Sequence, residues 1–454
     1  MDPQAREDYR SWSVEMAIDV HSVTPAALLL EQEARAMLTR LKRVKPFALQ
    51  ETMVAAASVP LSAQRAIEGH LLSGRARIRR MILDFIRWLR TREGRMTAPA
   101  MAQRRFTMLR LRFNASLTQF DIFADALTQR SENETGVWLS GLDAAADDAL
   151  RLTRPFYEVP PLVCYLDRGH GAAIRRARTR LPGGDENPVA IIRVPRERMI
   201  GSGVASSLFH EVGHQADALL DLAASIRPVL RGLQQTKGPE RVAWRYWDRC
   251  ISEILADFWS VARLGITATL GLMAVVSLPK YFVFRLSLDD PHPVPWIRVK
   301  LSCAMGRALY PHPQWDDFEQ LWESLYPADW LRIEKKEQLD LLSRSMPGLA
   351  SLITNFRPKK LLGESIGEAL EVDKRRPEIL LRHFDLWRGS PTRMRRAPPS
   401  LVFAVIGQAR ADGRISPEAE SGLLTSMLKH WALKNTLNYG SANIENLTST
   451  KLRR

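Results

Sequence analysis

Cysteine is scarce in this chain of 454 residues, which contains only Cys164, Cys250 and Cys303. Their odd number and the lack of a CxxC pair exclude a disulfide framework and favour a reducing compartment, so we expect a cytoplasmic protein. A secretory signal is not expected, because the first ten residues are charged throughout and lack an apolar core. The longest uncharged stretch, residues 264–279, is shorter than the roughly 20 residues that cross a bilayer. The sequence therefore predicts no transmembrane span.

Acidic residues are in deficit, since 50 Asp and Glu stand against 65 Lys and Arg, for a formal net charge of +15. A field of this sign favours an anionic partner, which would bind through the basic helical flanks of the chain. The composition is otherwise that of a globular protein, with 45% hydrophobic residues, and this excludes a largely disordered chain. The oligomeric state is left open.

Strand signals are few, and the hydrophobic spacing predicts a mainly α protein with a small β component. Apolar residues at helical spacing mark two helices, through residues 78–89 and 106–127. Two short apolar runs, 161–166 and 189–194, are typical of strands, and the basic stretch 175–180 between them is expected to be helical. We predict four regions: an N-terminal helical bundle (1–150), a domain containing the strands (151–330), a basic helical region (331–398) and a small C-terminal helical unit with a tail (399–454).

One segment combines residues that bind metals with a residue that can move protons. His210 and His214 are four residues apart, so on a helix they lie one turn apart on the same face and can bind one tetrahedral cation. Glu211 follows His210, where its carboxylate can reach a water molecule in an open coordination position. This His-Glu-x-x-His pattern predicts a zinc site with Glu211 as the general base.

A third ligand is expected outside this helix. Asp217 and Leu220 stand where the metzincin continuation of the motif requires glycine and histidine, which excludes that class. In a second predicted helix, Glu253 and Asp257 are four residues apart among apolar neighbours, where unpaired carboxylates are costly. We therefore predict that Glu253 is the third ligand. Asp257 is expected to accept the outer N–H of a liganding histidine.

These two elements, His210-Glu-Val-Gly-His214 and Glu253-Ile-Leu-Ala-Asp257, resemble the motifs of gluzincin metallopeptidases, and most of all the CAAX-prenyl-protease and HtpX type. The resemblance covers roughly residues 155–330 and implies a zincin-like α+β domain. It also implies one zinc ion per chain, bound by His210, His214 and Glu253. Many members of that group are embedded in membranes, so the lack of a predicted span sets this chain apart as a soluble variant.

A further segment supports the resemblance and suggests a mechanism. His292 and Arg298 are similar to the histidine and arginine of the family's His-Pro…Arg element, although Val294 replaces its second proline. The implied activity is that of a zinc-dependent metalloendopeptidase that hydrolyses protein or peptide substrates, with Glu211 activating the water. His292 or Arg298 would stabilise the developing oxyanion. The strand 189–194, which the zincin layout would place at a sheet edge, would pair with an extended substrate.

Other interpretations of the same residues stay open. The chain could be a regulatory or nucleic-acid-binding protein whose zincin domain acts on a single protein target. It could also be a non-catalytic scaffold stabilised by zinc, in which case a fourth protein ligand would close the site, and Asp217 is the nearest candidate. His292 could be a loop histidine held by packing. Arg298 could form a structural ion pair with Asp257 or Asp217.

Overall fold

The computed structural model describes residues 24–167, 172–182, 184–195, 202–235, 237–287 and 289–451, and among these the side chains of 202, 204, 205 and 438–451 are left aside. The described chain is mainly helical and contains one three-stranded sheet, which confirms the predicted mainly α class with a small β component. Contacts within the chain divide it into two compact units, which are described separately below. The predicted boundaries at residues 150, 330 and 398 stay predictions.

The first unit, here called the basic unit, comprises residues up to 49, 68–123 and 180–185. Its core is built from apolar side chains at helical spacing, including Met37, Ile82 and Phe106, so the two helices predicted from that spacing are confirmed. It contains all of α1 (Pro25–Arg43) and α3 (Arg92–Met96). It also contains the greater part of α2 (Leu61–Arg90) and of α4 (Pro99–Thr128).

The second unit, here called the site unit, comprises residues 50–67, 124–179 and 186–454. Its strands and helices are α5 (Asn133–Leu150), β1 (Leu162–Asp167), β2 (Ala173–Arg175), β3 (Ala190–Pro195), α6 (Ser202–Leu220), α7 (Leu222–Leu233), α8 (Glu240–Leu264), α9 (Ile266–Val276), α10 (Lys280–Val283), α11 (Pro295–Leu309), α12 (Gln314–Leu325), α13 (Ile333–Asn355), α14 (Ile366–Ala369), α15 (Pro377–Arg388), α16 (Pro391–Arg396), α17 (Pro399–Ala411) and α18 (Pro417–Lys451). Short 3₁₀ turns occupy Ala55–Ala57, Gln129–Ser131, Lys359–Leu361 and Val372–Arg375.

The sheet has the order β1-β3-β2, with β1 parallel and β2 antiparallel to β3. Both predicted strands are therefore confirmed within one residue, but the prediction that 189–194 forms an edge is wrong, because β3 has a partner on each side. The prediction of a helix at 175–180 is also wrong. Residues 173–175 pair with β3, and a turn follows in which Arg178 adopts a positive φ of 62°.

Two helices that are distant in sequence approach closely in the site unit. A Cβ atom added to Gly213 on α6 would lie only 2.8 Å from the Cα atom of Ala256 on α8, so only glycine permits this distance between the helices. Helix α8 is in turn held at the end of α5, because Trp259 Nε1 and Arg263 Nε both donate to the carbonyl oxygen of Ala149, at 3.0 and 3.1 Å. The faces of α6 and α8 that carry the motif residues are thereby fixed against each other.

A buried ion pair joins α5 to the sheet. Arg130, whose side chain is fully buried, donates to both carboxylate oxygens of Asp143, at 2.8 and 3.2 Å, and to the carbonyl oxygen of Cys164 on β1. Asp143 also accepts the backbone N–H of Cys164 at 2.7 Å. Both carboxylate oxygens of Asp143 and both terminal nitrogens of Arg130 thus have partners, whereas the buried Nε of Arg130 has none among the described residues.

The helices were also compared with the length and apolarity that a membrane span needs. Within the part of the chain that the structure describes, none is long and apolar enough to cross a bilayer.

Candidate metal centre

Helices α6 and α8 bring three predicted metal ligands together. His210 and His214 lie one turn apart on α6, with ring centroids separated by 4.8 Å. The Nε2 atom of each ring lies 3.3 Å from Oε2 of Glu253 on α8. One donor atom from each of the three residues can be chosen so that all lie within 4.8 Å of one another. The close packing at Gly213 makes this convergence possible, since Gly213 lies between the two histidines on α6.

The carboxylate of Glu253 is crowded by nitrogen atoms but makes no well-directed hydrogen bond through Oε2. This buried oxygen lies 3.3 Å from His210 Nε2, 3.3 Å from His214 Nε2 and 3.0 Å from His292 Nε2. Nevertheless, no donor among the described residues meets the angular requirement for a hydrogen bond to it. Ligand atoms that surround a common point, rather than pointing at one another, are arranged as they would be around a cation. Two imidazoles and one carboxylate are a donor set that suits zinc.

Asp257 lies one turn after Glu253 and contacts the outer nitrogen of a predicted ligand. His210 Nδ1 is 2.8 Å from Asp257 Oδ1, so the ring donates its Nδ1–H there and its Nε2 atom faces Glu253. Arg298 on α11 donates to the same carboxylate from Nε (2.7 Å) and from Nη2 (2.8 Å). Both nitrogens of this fork are occupied by Asp257. Arg298 therefore compensates a buried charge at this position.

The charges of this cluster shift the pKa values of its members. Burial alone would lower the pKa of His210, but the charge of Asp257, the hydrogen bond to Asp257 and the nearby carboxylate of Glu253 raise it to about 9. Burial would raise the pKa of Asp257, but the Arg298 guanidinium and His210 hold it well below its usual value. The pKa of Glu253 is likewise lowered by the surrounding imidazoles, against the effect of burial. With the carboxylates of Glu253 and Asp257 ionised beside it, the imidazole of His210 is favoured in its protonated form.

His292 lies at the outer side of the cluster, with 38% of its side chain exposed. Its Nδ1 atom is 2.7 Å from Asp290 Oδ1, and its backbone N–H donates to the same oxygen at 3.0 Å. Asp290 was not predicted as a site residue, although its position two residues before His292 is the spacing of an Asx turn. The segment is held in place because Val294 N donates to the Tyr246 hydroxyl at 2.7 Å.

The predicted general base lies beside a cavity. Glu211 and His210 line a space of about 230 Å³ whose other walls include the apolar side chains of Val261 and Leu272. Glu211 is 8% exposed, and its carboxylate has no hydrogen-bond or ion-pair partner among the described residues. A carboxylate that is left unpaired beside a cavity is available to a molecule that enters it.

Asp217, the predicted candidate for closing a structural site, is engaged elsewhere. Its Oδ1 accepts the backbone N–H of Ala223 at 2.7 Å at the start of α7, and its Oδ2 accepts from the Ser252 hydroxyl at 3.1 Å. It is not a member of the His210, His214 and Glu253 group. The alternatives in which Asp217 closes the metal site or pairs with Arg298 are therefore wrong, because its carboxylate caps a helix instead.

We compared the chain with models of protein families, with curated proteins and with solved structures, and none of the three comparisons finds a match. The resemblance to gluzincins accordingly depends on the motif residues and on the geometry in which they meet.

Proposed function

We propose that this chain is a zinc-dependent metalloendopeptidase of gluzincin type, with one zinc ion per chain and a zincin-like site built on α6 and α8. The observation that supports it best is the convergence of His210, His214 and Glu253, whose buried Oε2 atom receives no directed hydrogen bond from any described residue. The location of the protein would be cytoplasmic, which agrees with three cysteines that are all buried free thiols.

The residues of the candidate site have different roles in the proposed hydrolysis. Zinc, when bound by His210, His214 and Glu253, supplies a Lewis acid and an acidified water for attack on a peptide carbonyl. Glu211, which lines the cavity and has no ionic partner among the described residues, would accept a proton from the attacking water and deliver it to the leaving amine. His292 is exposed enough to meet a substrate, and its Nδ1 contact with Asp290 directs Nε2 inward as a donor to the developing oxyanion.

Arg298 has a different part in this proposal from the oxyanion role that the sequence allowed. Its Nε and Nη2 atoms are both bound to Asp257, and Asp257 holds His210. Arg298 is therefore a positioning residue, which keeps the ligand His210 in one tautomer and one orientation. Its effect on hydrolysis would be exerted through the affinity and placement of the metal.

Two substitutions test the proposal when zinc content and peptide hydrolysis are measured together. Glu211→Gln should retain about one zinc per chain, by elemental analysis, and lose hydrolysis of a mixed peptide library, because only the base is removed. His214→Ala should lose both zinc and hydrolysis. Glu240→Gln, an exposed glutamate at the start of α8, is the matched control and should change neither.

The outcomes separate the alternatives. Full hydrolysis by Glu211→Gln would overturn the proposed mechanism. Wild-type protein that binds zinc through His210 and His214 but cleaves no peptide would instead support the zinc-stabilised scaffold. Wild-type protein that binds no zinc at all would refute both.

A further inference from the structure

The positive charge of the chain is concentrated in the basic unit. The basic unit, residues 1–49, 68–123 and 180–185, contains 20 Lys and Arg against 12 Asp and Glu in its sequence. The site unit is about three times longer and contains 45 against 38. The metal centre accounts for none of this excess, so the basic unit needs an explanation of its own.

A groove with exposed methionines runs between α2 and α4 of this unit. Phe85 and Leu109 form its buried floor, and Met81, Met101 and Met108 stand along it around a space of about 410 Å³. Met101 is 53% exposed and Met108 is 52% exposed, so two large apolar side chains two turns apart on one helix are left in contact with water. We call this feature the methionine groove.

Three arginines of α4 border the methionine groove, namely Arg104, Arg105 and Arg112. Arg105 is held over the ring of Trp88, with its Cζ atom 4.2 Å from the ring centroid, and lies 3.8 Å from Glu93. Arg104 and Arg112 are exposed and have no ion-pair partner among the described residues. The border of the groove thus offers, beside an apolar floor, two guanidinium groups that no carboxylate in the described part of the chain compensates.

The combination of flexible thioethers and free guanidinium groups specifies the chemistry of an occupant. Methionine side chains adapt to varied apolar surfaces, as in grooves that receive amphipathic helices. Guanidinium groups bind carboxylates in a two-pronged geometry. A nucleic acid would satisfy the arginines but leave Met101 and Met108 in water, and the floor ring, Phe85, is buried and cannot stack on a base.

We propose that the methionine groove binds an amphipathic helix of a partner protein, one that presents a stripe of apolar side chains flanked by carboxylates. The apolar stripe covers Met101 and Met108, and the carboxylates pair with Arg104 and Arg112. This surface shares no residue with the candidate metal centre, and the inference stands whether or not the chain hydrolyses peptides.

The test uses the full-length chain and a fluorescent synthetic helix with leucines at i, i+4 and i+7 and glutamates on both sides of that stripe. Anisotropy should report saturable binding, and a matched peptide with lysine in place of each glutamate should bind at least about tenfold more weakly. The double variant Met101→Ser/Met108→Ser should weaken binding about tenfold, and so should Arg104→Glu/Arg112→Glu. The matched control Arg110→Glu/Leu111→Ser alters exposed residues of the same helix outside the groove and should have little effect.

Three results would overturn the inference. One is equal binding of the acidic peptide to the groove variants and to the control variant, with all variants shown to be folded by circular dichroism. Another is binding of a 20-base-pair DNA duplex that depends on Arg104 and Arg112 but not on the methionines, together with no binding of the peptide. The last is binding of phosphatidylserine vesicles that depends on both sets of residues, again without binding of the peptide.

Discussion

The two units of this chain differ in their balance of charge, although each contains both exposed and buried charged groups. In the basic unit, arginines such as Arg79, Arg104 and Arg112 are exposed to water and make no ion pair among the described residues. In the site unit, where basic and acidic residues nearly balance, several charged groups are buried, and Arg130 and Asp257 each have ionic partners.

The difference shows which charges constrain the fold. An exposed charge is stabilised by water and can be kept for a binding partner at almost no energetic cost. A buried charge loses its hydration and is tolerated only where partners surround it. The buried clusters at Asp143 and Asp257 therefore mark positions at which a substitution should have large consequences, and the exposed arginines mark positions at which stability should hardly change.

The largest effect is expected for Asp143→Ala, which would leave the fully buried Arg130 without its carboxylate. Breaking a buried pair from one side costs about 3–5 kcal/mol, so the free energy of unfolding should fall by that amount in urea titrations. The control is Asp84→Ala in the basic unit, which breaks the exposed pair with Arg87 and should cost less than about 1 kcal/mol. Equal losses in the two variants would remove the contrast between the units.

A smaller but specific effect is expected for Asp257→Asn at the candidate metal centre. Loss of the carboxylate that orients a histidine ligand typically weakens metal binding by about 10- to 100-fold, which competition with a chromophoric chelator can measure. Asp248→Asn is a matched control on the same helix, because Asp248 pairs with Arg227 and is not one of the grouped donors. Unchanged zinc affinity in Asp257→Asn would show that its contact with His210 is structural only.

The pH dependence of the metal-free protein provides a third prediction. The pKa of His210 in the folded chain is raised to about 9 from its usual 6.5, so its stabilising contribution is full below pH 6.5 and is lost as the pH rises through 9. The pKa of Asp257 is lowered, so its contribution is present above its usual value of 3.8 and disappears only in stronger acid. With a chelator present, the melting temperature should fall between pH 6.5 and 9, and His210→Asn should remove that slope.

The smallest effect is expected for charge reversal on the surface of the basic unit. Arg79→Glu changes an exposed side chain that has no ion-pair partner among the described residues, so the free energy of unfolding should move by less than about 0.5 kcal/mol. Thermal melts of Arg79→Glu and Asp143→Ala, measured side by side, would show how much more an altered buried charge changes stability than an altered exposed one. A loss above 2 kcal/mol would mean that the exposed arginines also support the fold.

Some of this arrangement could be predicted from the sequence because it depends on short spacings. The four-residue steps from His210 to His214 and from Glu253 to Asp257 place side chains on one helical face whatever the rest of the chain does. Apolar spacing likewise predicts the helices of the basic unit. The roles of the motif residues in binding zinc and in hydrolysis remain predictions.

Other features depend on tertiary contacts and could not be read from local pattern. The basic stretch 175–180 was predicted to be helical, but residue 175 ends the strand 173–175, which pairs with the edge of β3, and a turn follows. The central position of β3 follows from that pairing. The concentration of charge was also hidden, since the basic unit is assembled from three separate stretches of the chain. Asp290 had a detectable local signal, its spacing from His292, and that signal was overlooked.

Because Gly213 has no side chain, it affects how the candidate site would bind a cation. Because the backbones of α6 and α8 meet there directly, the separation of the helices is set by atoms that cannot rotate out of the way. The donors on either side are consequently held at their working separation before any ion arrives. Loading should therefore need little rearrangement of the polypeptide, and a side chain at residue 213 would widen the gap that the ion has to bridge.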